Sequence, residues 1–172
     1  MPQTPRYIVH AGYTLAAMQA TDIDDAVGMI ARAMDADEGN WARKTMNYHF
    51  SCMQHGLDDG RQYFVWKNNA EIAGLVGLHH YHWGPAQNVW LSWFAVAPLL
   101  QRRGHGRALL QAIEAYAFAQ HYRKFLVETY ASAVFAAARS FYIALGFSEV
   151  GRIAAYLDDG SDMVVYAKVL GT

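Results

Sequence analysis

Phe94-Ala95-Val96-Ala97-Pro98-Leu99-Leu100-Gln101-Arg102-Arg103-Gly104-His105-Gly106-Arg107-Ala108 is the stretch that decides how this chain folds. It begins as an apolar strand, and Pro98 ends that strand because proline has no N–H to give to a ladder. Gly104 and Gly106 permit a tight turn, after which Leu109, Leu110, Ile113, Tyr116 and Ala117 recur at helical spacing. A strand therefore runs through a glycine-bearing turn into a helix whose first turn is basic. The first N–H groups of a helix have no intrahelical acceptor and the helix dipole is positive at that end, so the turn reads as an anion cradle. A phosphate is its natural occupant. The segment carries neither the G-x-G-x-x-G dinucleotide fingerprint nor the G-x-x-x-x-G-K-[ST] loop, since it offers one G-x-G and no lysine. One G-x-G is a weak signal, and its plain alternative is a strand-to-helix turn with two permissive residues.

Upstream, residues 13–19 read as a short strand and the next stretch as a helix, with Thr21 and Asp24 as a capping box and Ile23, Val27, Ile30 and Met34 as one apolar stripe. Asp35-Ala36-Asp37-Glu38-Gly39-Asn40 reads as a loop, and a second helix is expected over 41–55. Strands follow at 62–67 and 71–81, joined by Asn68-Asn69-Ala70 as a hairpin, and at 88–96 after a Gly84-Pro85 turn. Downstream of the cradle helix, expected over 103–121, come a strand at 125–129 and a helix at 136–145 that Gly146 stops. Residues 148–156 and 163–170 read as a closing hairpin. The order is that of one α/β domain over 12–172, antiparallel at the front with a strand–helix–strand crossover behind, preceded by a loose arm at 1–11.

Composition bounds the function. A chain of 172 residues with 53% apolar and 17% charged side chains can bury a sizeable core as one globular domain. Lys and Arg number 14 against 15 Asp and Glu, and no segment gathers enough basic charge to track nucleic-acid phosphates. No stretch approaches the ~18 apolar residues of a membrane helix, and residues 1–11 lack the features of a signal peptide. Cys52 is the single cysteine and has no internal disulfide partner. The expectation is a soluble cytoplasmic protein with neither nucleic acid nor membrane as partner. Aromatic residues make up 14% of the chain and crowd into 63–93, where Tyr63, Phe64 and Trp66 fall on a strand expected to be core and Tyr81, Trp83, Trp90 and Trp93 on strands expected to line a pocket.

Gln101-x-x-Gly104-x-Gly106 after a strand ending Val96-Ala97-Pro98, followed by Arg139-Ser-Phe-Tyr142-Ile-Ala-Leu-Gly146-Phe147, resembles the GNAT acyl-CoA N-acyltransferases. The likeness is strongest over 90–147 and only topological before residue 61. It implies a single domain whose mixed, mostly antiparallel central sheet is splayed at the cofactor site and flanked by helices. It implies acetyl-CoA as co-substrate, with Gln101, Arg102, Arg103, Gly104, His105, Gly106 and Arg107 around its pyrophosphate. Phe94, Ala95 and Val96 would lie along the pantetheine arm, and Val96 N–H would polarise the thioester carbonyl, a role worth ~3 kcal/mol in other oxyanion sites. Tyr142 matches the family's general acid, which protonates the departing thiolate. A packed aromatic on an amphipathic helix is its plain alternative.

The general base is less legible. Some members keep a glutamate where Trp90 stands here, and Glu128 is the nearest acid in the motif region, either a base or a solvated strand-end carboxylate. His79, His80 and His82 form a distinctive cluster, and on a strand His80 and His82 would share a face. A third ligand at metal spacing is missing, so no metal is expected; His80, His82, Trp90 and Trp93 read instead as walls of an acceptor pocket, or the histidines as a proton relay near neutral pH or as partly exposed strand residues. His105 reads as solvent-facing. Asp35 to Gly39 is no calcium loop, because the twelfth position is Met46; the run either attracts a cationic amine or is simply solvated. Asp158, Asp159 and Asp162 admit the same two readings, and Cys52 reads as a buried small hydrophobe. The resulting expectation is acetyl transfer to a small primary amine, directly and in a ternary complex. A peptide or protein amine, and a non-catalytic acyl-CoA binding or sensing module, are the alternatives, and a homodimer is left open.

Overall fold

The computed structural model describes residues 7–10, 12–69 and 71–171, with side chains from residue 12 onward. Its elements are β1 (Tyr7–His10), β2 (Tyr13–Ala17), α1 (Ile23–Ala33), α2 (Ala36–Gln54), β3 (Arg61–Asn68), β4 (Glu71–His79), β5 (Asn88–Val96), α3 (His105–Ala119), β6 (Lys124–Tyr130), α4 (Ala136–Ala144), β7 (Ser148–Ile153) and β8 (Met163–Val169). This α/β fold divides into two compact units: Met1–His79 with Ser92–Tyr116, and His80–Leu91 with Ala117–Thr172. β5 and α3 run through both. The first unit carries the strand order β1-β2-β3-β4-β5, the second β5-β6-β8-β7.

In the first unit, alternation along β3 divides its side chains between two faces. Tyr63 and Val65 join Leu75, Ala95 and the buried stripes of α1 and α2, among them Met29, Ile30, Ala42 and Met46. On the other face α3 comes so close to β4 that a Cβ on Gly74 would lie 3.1 Å from Leu109 Cδ2, and Trp66, Leu109, Leu110 and Ile113 are fully buried. In the second unit β5 runs parallel to β6 over four pairs, from Asn88↔Lys124 to Leu91↔Val127, and β6 pairs antiparallel with β8 along its whole length. Val89, Leu91, Phe125 and Val127 are buried. α4 closes on that side through Tyr142 and Phe147, whose rings lie 5.6 Å apart, with Phe147 6.0 Å from Phe125.

Several expectations are corrected. Tyr7–His10, expected within a loose arm, pairs antiparallel with β2; residues 1–6 and 11 of that arm lie outside the described residues. The cap of the first helical segment is not Thr21 with Asp24: Asp22 Oδ2 accepts from Gln19 N–H at 2.9 Å, one turn earlier. The acidic run is not a loop but the first turn of α2. Asp35 caps it, accepting from Glu38 N–H at 2.8 Å, and acids are favoured at that end by the helix dipole. Finally, β4 stops at His79, so residues 80 and 81 lie in the following loop rather than on a strand. Among the described residues, no helix is long and apolar enough to cross a membrane.

Candidate functional site

The cradle belongs to the first unit and is built by local bonds. Ala97 N–H donates to Ala73 O at 2.9 Å and ties the end of β5 to β4. A single turn of 3-10 helix follows over Pro98–Leu100, and the Gln101 side chain donates to Val96 O at 3.0 Å, folding the turn back on the strand. Arg102 and Gly104 both have positive φ, 60° and 85°, a pair of left-handed residues that reverses the chain into α3. Ala108 N–H then reaches back to Gly104 O at 3.0 Å. A Cβ built on Gly104 meets nothing within 4 Å. Arg102, Arg103 and Arg107 are exposed around it. Open space over the backbone, three guanidinium-bearing residues and a helix start together fit a diphosphate.

His105 is corrected. It does not face solvent: only 9% exposed, its ring lies edge-on to Tyr13 at 5.3 Å and tilted against Trp66 at 5.5 Å. Its position at the start of α3 turns the imidazole inward, where it anchors the cradle helix to β2 and β3. Ala95 and Val96 are buried and Phe94 is half-buried. Trp93 is half-buried too, and its indole N–H donates to Thr45 Oγ1 of α2 at 2.8 Å.

The second unit holds the other candidates. Tyr142 is 7% exposed, and burial pushes its phenol well above the ordinary tyrosine range, so it is protonated throughout the neutral region. Glu128 has an exposed residue surface, yet desolvation raises its carboxyl above the usual carboxylate range. The β5–β6 register sets Trp90 opposite Leu126, so Trp90, Leu126 and Glu128 share the face opposite the buried Phe125 and Val127. His80 and His82 do meet, but through a turn and not through strand alternation: their rings are 5.9 Å apart and perpendicular. His80 is held by Nδ1 at 3.1 Å from Asn88 O and by the ring of Tyr122 at 5.7 Å. Among the described residues no three His, Cys, Asp or Glu side chains are grouped to hold a metal ion.

Two arrangements escaped the sequence reading. His49 Nδ1 lies 2.8 Å from Asp59 Oδ1, both side chains almost wholly buried, and Arg61 donates to Asp59 through its amide at 3.1 Å and its guanidinium at 3.2 Å. In the second unit, Arg139 donates to Tyr130 O at 2.5 Å and Ser132 O at 2.8 Å, bracing the segment that leads into α4. No motif marks either. They link residues that share no pattern, and only the position of Arg139 within the quoted motif could have drawn attention to it.

The family model described as "Acetyltransferase (GNAT) family" matches residues 24–147. No curated protein matches the sequence. Among solved structures, a GNAT-family protein from Desulfovibrio desulfuricans superposes with a TM-score of 0.81 at 21% identity, covering 91% of this chain and 98% of that one. The ribosomal-protein alanine N-acetyltransferase of Escherichia coli gives 0.71 at 24% identity, covering 93% and 95%. The spermidine/spermine N-acetyltransferase of Vibrio cholerae gives 0.70 at 18%, covering 94% of each chain. These likenesses are likenesses of fold.

Proposed function

The chain belongs to the GNAT acetyltransferase family, and on that premise we propose that it moves an acetyl group from acetyl-CoA to a small-molecule primary amine in the cytoplasm, by direct transfer in a ternary complex. The observation that carries this reading is the cradle. Gly104 holds a left-handed φ with open space where a Cβ would stand, amid Arg102, Arg103 and Arg107. Acetyl-CoA supplies an acyl carbon activated by a thiolate leaving group; the rest falls to the chain.

The amides of residues 102–107 and the Gln101 turn bind the diphosphate, and Phe94, Ala95 and Val96 align the pantetheine arm. Val96 N–H donates to the thioester oxygen as negative charge develops there. Glu128 takes the proton an ammonium acceptor must lose before its nitrogen can attack; its raised pKa brings it nearer to that task than an ordinary carboxylate. As the C–N bond forms and the C–S bond breaks, Tyr142 gives its proton to the sulfur, the nitrogen sheds its second proton to solvent as the amide forms, and exchange with solvent returns Glu128 to carboxylate and Tyr142 to phenol. His80, His82, Trp90 and Trp93 are proposed to contact the acceptor.

Thiol release from acetyl-CoA across a panel of amines tests the reading, with Tyr142→Phe as control. The expected outcome is turnover on at least one small amine, and a ~10²- to 10⁴-fold lower kcat in Tyr142→Phe at an unchanged melting temperature, since phenylalanine keeps the ring on Phe147. Coenzyme A binding without turnover on any amine would mean a sensing module, turnover confined to peptides a protein-amine acceptor, and no binding would end the acyl-CoA reading altogether.

A further inference from the structure

We infer that the acceptor amine carries an aromatic ring, and that the second unit receives it on a row of rings formed by Trp83, Tyr81 and Trp90 with its ammonium group directed to Glu128. The inference rests on the N-acetyltransferase reading and adds the class of acceptor to it.

The row is continuous. Tyr81 lies 6.1 Å from Trp90 at 75° and 5.5 Å from Trp83 at 40°. Trp83 is 85% exposed, although an indole gains more than almost any side chain by leaving water. Its turn keeps it there: Gly84 N–H donates to Tyr81 O at 2.8 Å and Asn88 N–H to Pro85 O at 3.0 Å, so the backbone around the indole is braced rather than slack. At the other end, Trp90 shares a face with Leu126 and Glu128, two residues or ~7 Å apart along β6.

The carboxyl end of the row is complementary to a cation. Across β8, Glu128 stands opposite Val165 and Leu126 opposite Ala167, which is why the carboxyl is desolvated without being paired by its neighbours. The cations of the adjoining strands are engaged elsewhere. Lys168 is opposite Phe125 on the other face with its Nζ 5.7 Å from the Phe147 ring, and Arg123 donates to the carbonyls of Phe118 and Tyr122. Lys124 shares the face of Glu128 but stands at the far end of β6, opposite Val169. An ammonium ion satisfies a carboxylate of this kind, while π-faces and edges stack with a ring and attract the positive charge tethered to it. A bare aliphatic polyamine would use the carboxylate and leave the rings in water; a neutral aromatic would do the reverse.

Isothermal titration of the full chain with coenzyme A present tests this with 2-phenylethylamine, n-butylamine, putrescine and 2-phenylethanol. The expected result is a Kd for 2-phenylethylamine at least tenfold below each of the others. Trp83→Ala, at an exposed position that the fold does not depend on, removes the advantage over n-butylamine, and Trp90→Leu does the same; Glu128→Gln removes the advantage over 2-phenylethanol. Equal affinity for n-butylamine or putrescine, or an amine preference that survives Glu128→Gln, overturns the inference. Thiol release with the same compounds separates the two levels: acetylation of putrescine as fast as of 2-phenylethylamine overturns the aromatic acceptor and leaves the N-acetyltransferase standing, whereas failure to bind coenzyme A removes the enzyme reading itself.

Discussion

Asp59 is a buried carboxylate surrounded by donors. Burial alone would raise its pKa, but His49, the Arg61 amide and the Arg61 guanidinium together hold the carboxyl below its ordinary range. Its folded value thus lies below the ~3.9 of an unfolded chain. The stabilisation this gives is fully present above that unfolded value and is lost as pH falls through the lower folded one. Asp59→Asn is expected to cost about 3 kcal/mol at neutral pH, because breaking a buried pair strands its partners, and to lower the melting temperature by ~6–12 °C. Melting curves below pH 5 should fall more steeply for the wild type than for the variant. At this scale the sequence was uneven. A local motif singles out Tyr142, Gly104 and the cradle arginines as candidates, whereas nothing marks His49 and Asp59, since ten residues without a pattern separate them. His105 was misread for the same reason: two flanking glycines suggest exposure, but Tyr13 and Trp66 come from distant strands.

Elements show a similar division, and two glycines make the point. Gly28 in α1 and Gly39 in α2 both sit inside helices, where alanine is favoured by ~1 kcal/mol. A Cβ on Gly28 would meet only the tip of Arg32 at 3.4 Å, so Gly28→Ala should stabilise the protein by about that amount. A Cβ on Gly39 would stand 2.9 Å from Ala31 Cβ, a contact between α1 and α2 that neither helix can relieve by a rotamer change. Overpacking costs ~1–3 kcal/mol, so Gly39→Ala should destabilise despite its helix propensity. Opposite shifts in melting temperature, a few degrees each, would check the argument; a gain in both would mean the helices pack more loosely than the Ala31–Gly39 contact implies. Residues 35–40 illustrate why the start of α2 was hidden: Asp and Gly are loop-like by composition, and only the Asp35 cap and the close approach to α1 turn them into a first helical turn. The strand at Asn88–Val96, bounded by Pro85 and Pro98, was legible to the residue.

For the whole molecule, the proposed function makes ligand linkage the sharpest prediction. Coenzyme A at a hundredfold excess over its Kd should stabilise the folded chain by ~2.7 kcal/mol, raising the melting temperature by roughly 5–10 °C. Arg102, Arg103 and Arg107 are exposed, so the shift should shrink as salt screens them. In Gly104→Val the shift should vanish: a β-branched residue strains the left-handed φ of 85° and fills the open space. An undiminished shift in that variant would place the diphosphate elsewhere.

What the sequence determined by itself was whatever depends on neighbours along the chain: the order of strands and helices, the strand–turn–helix cradle, the two motifs of the family, and the burial of Tyr63, Phe64 and Trp66 on a core strand. Tertiary structure decided which distant residues meet. It placed Trp90 on one face with Glu128, left Trp83 in water at the end of an aromatic row, and turned His105 inward. The physical reason is that alternation along a strand divides side chains between two faces, but register and packing alone determine what lies across from them.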